Sequence, residues 1–335
     1  MSTDVTARAA VPPAAPPRDA GRDRRALAET ALAPVALVAL VVYFAAASDT
    51  FLSWANLTAL SGQAGPLLFA SLGATFVVLM GSIDLSVGAV ALFCGSVAAW
   101  LLANGHLGGL AVPAAVLAGF GVGALSGAVV AYGGVPSFVA TLGAMSVLTG
   151  FALKLLDGRP LPFLSPGTSD LAIGQTVPHV QNAGLWALVA WALFVVVGLR
   201  TRFGLYAYAI GGGEPVARLS GVPVRAYKVL AFALSGATAA CAGVLGVAQL
   251  GSGGPTVGST LLLDSLAAIV VAGTSLSGGR GGVHRTLLGV LLIAILANGL
   301  NQVGADEYTQ QIIKGGVIIG AVLLAVTRRP GEVVK

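Results

Sequence analysis

The sequence predicts an all-α polytopic membrane protein with about ten transmembrane helices and both termini on the cytoplasmic side. Three observations carry this. Charged residues make up only 9% of 335 positions and hydrophobic ones 56%, whereas soluble domains are about a quarter charged. That leaves too little polar surface to wrap a water-soluble globule. Apolar runs of spanning length recur down the chain. They lack the alternation of membrane-barrel strands, so the spans are helices. Finally, the cations are sorted: with the N-terminus inside, fifteen of the 18 Lys and Arg fall on the inner side, leaving Lys154, Arg159 and Lys314 elsewhere. This is the bias of the positive-inside rule.

Residues 1–26 hold Ala, Pro and Arg with almost no large apolar side chains, the composition of a disordered cytoplasmic tail. The run 27–47 follows Arg22, Arg24 and Arg25 and superficially looks like a signal peptide. Its apolar region is too long for one and further spans follow, so it is read as the first membrane helix. The next spans fall at about 57–80, 85–103, 108–132, 136–156, 184–199, 227–250, 260–277, 285–303 and 309–327. The transmembrane domain is therefore 27–327, with a cytoplasmic loop at about 200–228 and a cytoplasmic tail at 328–335. The longest outside loop, 157–183, opens with clustered Pro and Gly and is expected to be ordered by packing without regular structure. Gly119, Gly123 and Gly127 recur at every fourth place, with Ala131 continuing the row, and Gly236, Ala240 and Gly243 form a second small-residue face. Both permit close helix contact in lipid. Gly119, Gly121 and Ala124 also match a dinucleotide-binding fingerprint formally, but no strand precedes them and they lie within a span.

The longest polar break in the second half of the chain is 200–228, which carries Arg200, Arg202, Arg218, Arg225 and Lys228. A short helix is legible inside it. Gly211, Gly212 and Gly213 make a flexible approach, and Pro215 suits the first helical position. Gly221 suits the position past the end, and Pro223 prevents continuation. Val216 and Leu219 share one face. A capped, partly apolar helix projecting from a membrane protein has the form of a docking element; the plainer alternative is a solvated loop.

Asp84 interrupts two apolar runs within Gly81-Ser82-Ile83-Asp84-Leu85-Ser86-Val87-Gly88. At a bilayer centre such a charge costs about 3 kcal/mol on insertion scales, so it belongs near an interface, in a water-filled cavity or at a helix start. As a cap, its carboxylate would accept the free N–H groups of the next turn. As a pathway residue it would lie, with Ser86, beside the polar backbone of a broken helix. Phe138 and Thr141, three apart at the start of the fifth span, are placed to face the same pathway. Asn298 and Gln302, one turn apart, would hydrogen-bond either a polyhydroxylated solute or neighbouring helices, as would Gln310 and Lys314.

Several classes are disfavoured. Gly278-Gly279-Arg280-Gly281-Gly282 is a tight inside turn without the Gly-Lys-Ser/Thr ending of a phosphate-binding loop, and nothing else suits ATP. There is no nucleophile, base and orienting group at recognisable spacing, so no catalytic residues are assigned and no enzyme is expected. Cys94 and Cys241 lie in apolar segments, and His106, His179 and His284 lie far apart; no metal site is expected. The net charge of +5 is distributed by topology rather than gathered in one patch, which argues against nucleic acid.

Short glycine-rich pieces, in order across about 50–327, carry a resemblance. They are 81–88 around Asp84, 135–143 around Pro136 and Thr141, Thr201-Arg202-Phe203-Gly204, Tyr208-Ala209-Ile210-Gly211, Ala217-Arg218-Leu219-Ser220-Gly221, 272–281, and Gln310-Gln311-Ile312-Ile313-Lys314-Gly315. The chain resembles the permease subunit of bacterial ABC importers for sugars, of the ribose/xylose/galactoside type. The resemblance implies a type II-like permease bundle in the bacterial cytoplasmic membrane. It also implies a second permease subunit, cytoplasmic ATP-binding subunits that hold ATP and Mg, with no cofactor in this chain, and an extracytoplasmic solute-binding protein. The helix near Glu214 to Gly221 would then be the coupling helix, with Gly211, Glu214, Ala217, Arg218, Leu219 and Gly221 meeting the ATPase. Two positions depart from the family pattern: Leu205 where a basic residue usually follows the Phe-Gly, and Gly213 where an Asn often stands.

Rival readings keep the architecture but change the solute, to nucleosides, autoinducer-like sugars or branched-chain amino acids. A different class is an ion-coupled secondary transporter using Asp84, against which stands the scarcity of intramembrane acids. A non-transporting scaffold fits the helix count but explains neither polar interruption.

Overall fold

The computed structural model describes residues 20–327. Thirteen α-helices cover most of them: α1 Ala20–Ala47, α2 Trp54–Leu79, α3 Val87–Ala103, α4 Ala111–Gly133, α5 Ser137–Leu155, α6 Pro166–Ile173, α7 Asn182–Arg200, α8 Arg202–Gly212, α9 Glu214–Leu219, α10 Val224–Leu250, α11 Leu261–Val271, α12 Val283–Gln302 and α13 Glu307–Thr327. Among the described residues six helical stretches are long and apolar enough to cross a membrane: α2, α4 with the short turn before it, α5, α7, α10 and α12. α1 starts at Ala20, inside the stretch assigned to the tail, because Arg22, Arg24 and Arg25 are interleaved with good helix formers. The rest of that tail, 1–19, and the tail at 328–335 lie outside the described residues.

α10 is the central post. It packs against α4, α2 and α3. The two small-residue faces read from the sequence meet each other: a side chain at Gly236 would strike the Gly119 carbonyl, and one at Gly123 would strike the Phe232 carbonyl. Further along α10, Gly243 presses on the Ala91 carbonyl of α3. In lipid, where hydrocarbon is no worse a solvent than a leucine, such backbone proximity is what holds helices together.

α2, α10 and α12 are interior: 83%, 67% and 61% of their most apolar windows are buried, against 28%, 17% and 22% for α4, α5 and α7. The outer helices instead expose leucine, valine and phenylalanine, among them Leu117, Leu125, Phe151, Leu193 and Val196. That division into buried posts and an apolar outer shell is what a bundle facing lipid requires.

Two expectations need correction. The eighth span, read as 260–277, is helical only over α11, whose eleven residues reach about 16 Å at 1.5 Å per residue. It stops because Gly273, at φ +88°, enters the left-handed region. Thr274 N–H then donates to Ile269 O at 3.1 Å and Gly273 N–H to Val270 O at 2.9 Å, a Schellman closure. The outside loop does contain regular structure. Leu161–Pro162 (β1) pairs antiparallel with Ser252–Gly253 (β2), Leu161 opposite Gly253. α6 begins at Pro166, where proline's preset φ favours a first helical turn.

Candidate functional site

Contacts give the bundle two ends. At one, Gly279 N–H donates to Leu79 O, the last residue of α2, at 2.9 Å. Tyr208 Oη of α8 donates to Gly281 O at 2.7 Å, just before α12. At the other, Asn56 near the start of α2 meets Asn298 near the end of α12, and Gln249 Nε2 at the end of α10 donates to Gly62 O at 2.8 Å.

The first end carries 200–228. Gly211 and Gly212, expected as flexible approach, are helical and complete α8, whose start is capped by Thr201 Oγ1 accepting from Phe203 N–H at 3.2 Å. α9 follows at once. Val222 N–H to Ala217 O and Gly221 N–H to Arg218 O, both 3.1 Å, close it, with Gly221 at φ +81°. Glu214 Oε1 pairs with Arg218 Nη2 at 2.8 Å and Oε2 with Lys228 Nζ at 2.6 Å, tying α9 to the root of α10. The bond from Lys228 holds the Glu214 carboxyl below the ordinary carboxylate range. Ala217 is buried, whereas Val216 and Leu219 are 68% and 90% exposed. α9 is therefore seated by one methyl and presents two larger apolar side chains outward.

Behind it three segments cross on glycine. A side chain at Gly211 would strike Leu79 O and Gly279 N; one at Gly278 would strike Gly81 N at 2.7 Å and Gly211 Cα at 3.0 Å. Gly81, Gly278 and Gly279 also hold φ of +72°, +87° and +71°, a region costly to other residues.

Gly81 opens the segment of Asp84, which is 4% exposed. Asp84 Oδ1 accepts from Ser86 N–H at 2.9 Å and Ser86 Oγ at 2.6 Å, an Asx turn leading into α3. Its Oδ2 accepts from Ser235 Oγ of α10 at 2.7 Å. The carboxylate thus binds just ahead of the helix rather than its later N–H groups, and ties the turn to the central post. The same segment is held by α5: Ile83 N–H donates to Ser137 Oγ and Leu85 N–H to Thr141 Oγ1, both at 3.1 Å. Thr141 is fully buried, while Phe138 is half-exposed on the outer side; the structure does not bring that pair to one surface.

Asn298 and Gln302 are occupied between helices. Asn56 and Asn298 exchange reciprocal amide bonds at 2.9 and 3.0 Å, Gln302 Nε2 donates to Asn56 Oδ1 at 2.6 Å, and Thr50 Oγ1 donates to Gln302 Oε1 at 2.9 Å. The sequence left helix or solute as partner; the geometry assigns these amides to helices.

Near them lies a polar cleft of about 330 Å³ that the sequence did not single out, lined by Gln63, Thr260, Asn301, Gln310, Gln311 and Lys314. Of these, Gln310 and Lys314 were read as a one-turn pair, and Gln311 only as part of a piece that carries the resemblance. Lys314 Nζ pairs with Asp264 Oδ2 of α11 at 3.1 Å, and Gln310 Nε2 donates to Ala305 O at 3.0 Å. Among the described residues no three His, Cys, Asp or Glu side chains stand together to hold a metal.

An apolar shell around buried helices stitched by polar ties defines a polytopic membrane protein. The chain belongs to the family described as branched-chain amino acid transport system permease component, whose model matches residues 56–322. It is 37% identical to the ribose import permease of Escherichia coli K12 over 298 residues, 87% of this chain and 91% of that one. It is 36% identical to the ribose import permease of Bacillus subtilis 168 over 289 residues, 86% and 90%. It is 33% identical to the D-allose transport system permease of Escherichia coli K12 over 295 residues, 86% and 89%. No solved structure matches it.

Proposed function

We propose that this chain is the membrane-spanning permease subunit of an ATP-binding-cassette importer that carries a pentose- or hexose-type sugar across the bacterial cytoplasmic membrane. The observation that carries the reading is α9: a six-residue helix closed by a Schellman turn, anchored through Glu214 to Lys228, with Val216 and Leu219 bare at its surface. This suits insertion into a groove of an ATP-binding subunit, which would hold ATP and Mg. Gly211, Glu214, Ala217, Arg218, Leu219 and Gly221 would shape that contact.

Ten helices, α1–α5, α7 and α10–α13, overlap the ten spans of the sequence reading, six of them in stretches long and apolar enough to cross a membrane among the described residues. They support a topology with both termini cytoplasmic and α9 inside. An extracytoplasmic binding protein would then deliver solute at the end where α2 begins, and a second permease subunit would complete the pathway. Sugar is favoured as cargo by the relatives, which are permeases for ribose and D-allose. Asp84 and Ser86 fit a structural clamp better than a proton carrier, since Ser86 and Ser235 already occupy three of the roughly four acceptor sites of the carboxylate.

The test is uptake of labelled aldopentoses and aldohexoses by proteoliposomes holding the full assembly. The reading expects uptake that needs ATP and the binding protein and survives collapse of the proton gradient. Uptake that follows the gradient and ignores ATP would overturn it.

A further inference from the structure

The polar cleft lies at the end opposite α9, and its depth is informative. Trp54, exposed and stacked on His179 at 4.6 Å, stands at the start of α2 as an interfacial aromatic would. Gln63 is nine residues further on, about 14 Å along the helix axis. Its side chain is nonetheless exposed, as are those of Asn301 and Gln311. No hydrogen bond within the described residues engages these three amides. An uncovered amide at the depth of Gln63 is costly against hydrocarbon, so the cleft there is wet or filled by something polar; Asn301 and Gln311, near the end of α12 and the start of α13, line the same cleft.

We infer that this cleft is a solute site and that its ligand is a small, neutral, polyhydroxylated molecule; the inference rests on the importer reading and names the residues that would meet the cargo. Its volume, about 330 Å³, lies at the low end of the roughly 300–1,000 Å³ of ligand clefts. Its one cation is matched by Asp264, so it offers no net charge to hold an anion. Primary amides both donate and accept, as a sugar hydroxyl does. Gln63, Asn301 and Gln311 line it from three helices, α2, α12 and α13. The lining contains one apolar side chain, the methyl of Ala297. Polar groups therefore dominate its side chains, which favours a hydroxylated ligand over the side chain of a branched-chain amino acid, whose carboxylate would also meet a lysine already paired.

Gln311→Cys tests this in the reconstituted assembly. A membrane-impermeant thiol reagent is applied with and without D-ribose, D-allose and whichever other sugar the parent imports. Cys94 is buried and Cys241 half-buried, and the parent chain gives the background. The expected result is labelling at the new thiol, slowed at least fivefold by the imported sugar and unaffected by leucine. Asn301→Ala and Gln63→Ala should each lower uptake tenfold or more in an intact assembly, with Gln63→Asn recovering part of it. An unlabelled thiol overturns the wet cleft whatever the cargo. Labelling that the imported sugar does not slow, or protection by leucine, overturns the ligand assignment. A parent assembly that imports no sugar instead overturns the importer reading, and this inference with it.

Discussion

Replacing Asp84 by Asn separates a structural carboxylate from a proton-carrying one. The carboxylate receives three hydrogen bonds, from Ser86 N–H, Ser86 Oγ and Ser235 Oγ. Bonds to a charged acceptor contribute about 1.5–3 kcal/mol each and neutral ones about 0.5–1.5, so the amide forfeits about 1 kcal/mol per bond. The gain from no longer burying a charge offsets part of that. Interhelical hydrogen bonds in membranes average about 0.6 kcal/mol and reach about 1.7. The expected cost of Asp84→Asn is therefore about 1–2 kcal/mol, with a coupling of about 1 kcal/mol to Ser235→Ala in a double-mutant cycle. Asp84→Leu strands three buried donors at about 1–3 kcal/mol each and should exceed 3 kcal/mol. The assay is reversible unfolding in mixed micelles, followed by tryptophan fluorescence, beside uptake. If Asp84→Asn keeps parental stability yet abolishes concentrative uptake while solute still binds, the clamp reasoning fails and Asp84 becomes a proton carrier.

Other consequences can be measured in the same preparations. Leu219→Asp should weaken association with the ATP-binding subunit at least tenfold without lowering the permease's own melting temperature, because that side chain is almost wholly exposed. Because the Glu214 carboxyl is held below its ordinary value, its tie to Lys228 is complete above the unfolded carboxylate range of about 4.3 and is lost as pH falls through the lower folded value. Hydrogen exchange in α9 should therefore be flat from pH 8 to 5, after correction for intrinsic rates, and rise below; Lys228→Ala should raise it throughout. Gly123→Leu forces a side chain into the Phe232 carbonyl and should cost about 3 kcal/mol or prevent folding, whereas Gly121→Leu, which meets nothing within 4 Å, should be tolerated. Asn56→Ala removes the shared partner of Asn298 and Gln302 and should lower stability by about 1–3 kcal/mol.

The membrane-crossing helices were legible because they are long apolar runs, and the α4–α10 contact because a four-residue glycine spacing is local. The Asp84 turn was also legible, since an acid between two apolar runs must be satisfied somewhere; its partner Ser235, 151 positions away, was not. α11 was read too long because hydropathy continues through Ala272 and Leu276 while the chain turns at Gly273. α8 was missed because a run of three glycines suggests coil, yet two of them are helical where backbones must touch. The cleft escaped because its polar side chains come from α2, α12, α13 and the turn before α11, so no spacing rule joins them. Phe138 and Thr141 were grouped by helical spacing, but the buried face of α5 ends between them.

The glycine crossing of α8, the end of α2 and the turn before α12 has a mechanical corollary. Ordinary helix contacts absorb small displacements by rotamer changes, giving a few tenths of an ångström before the neighbour feels a push. Where backbone rests on backbone there is no such slack. A shift imposed on α8 from below would reach Leu79, and through Gly81 the Asp84 segment, almost undiminished. The barest point in the bundle is thus its stiffest bearing.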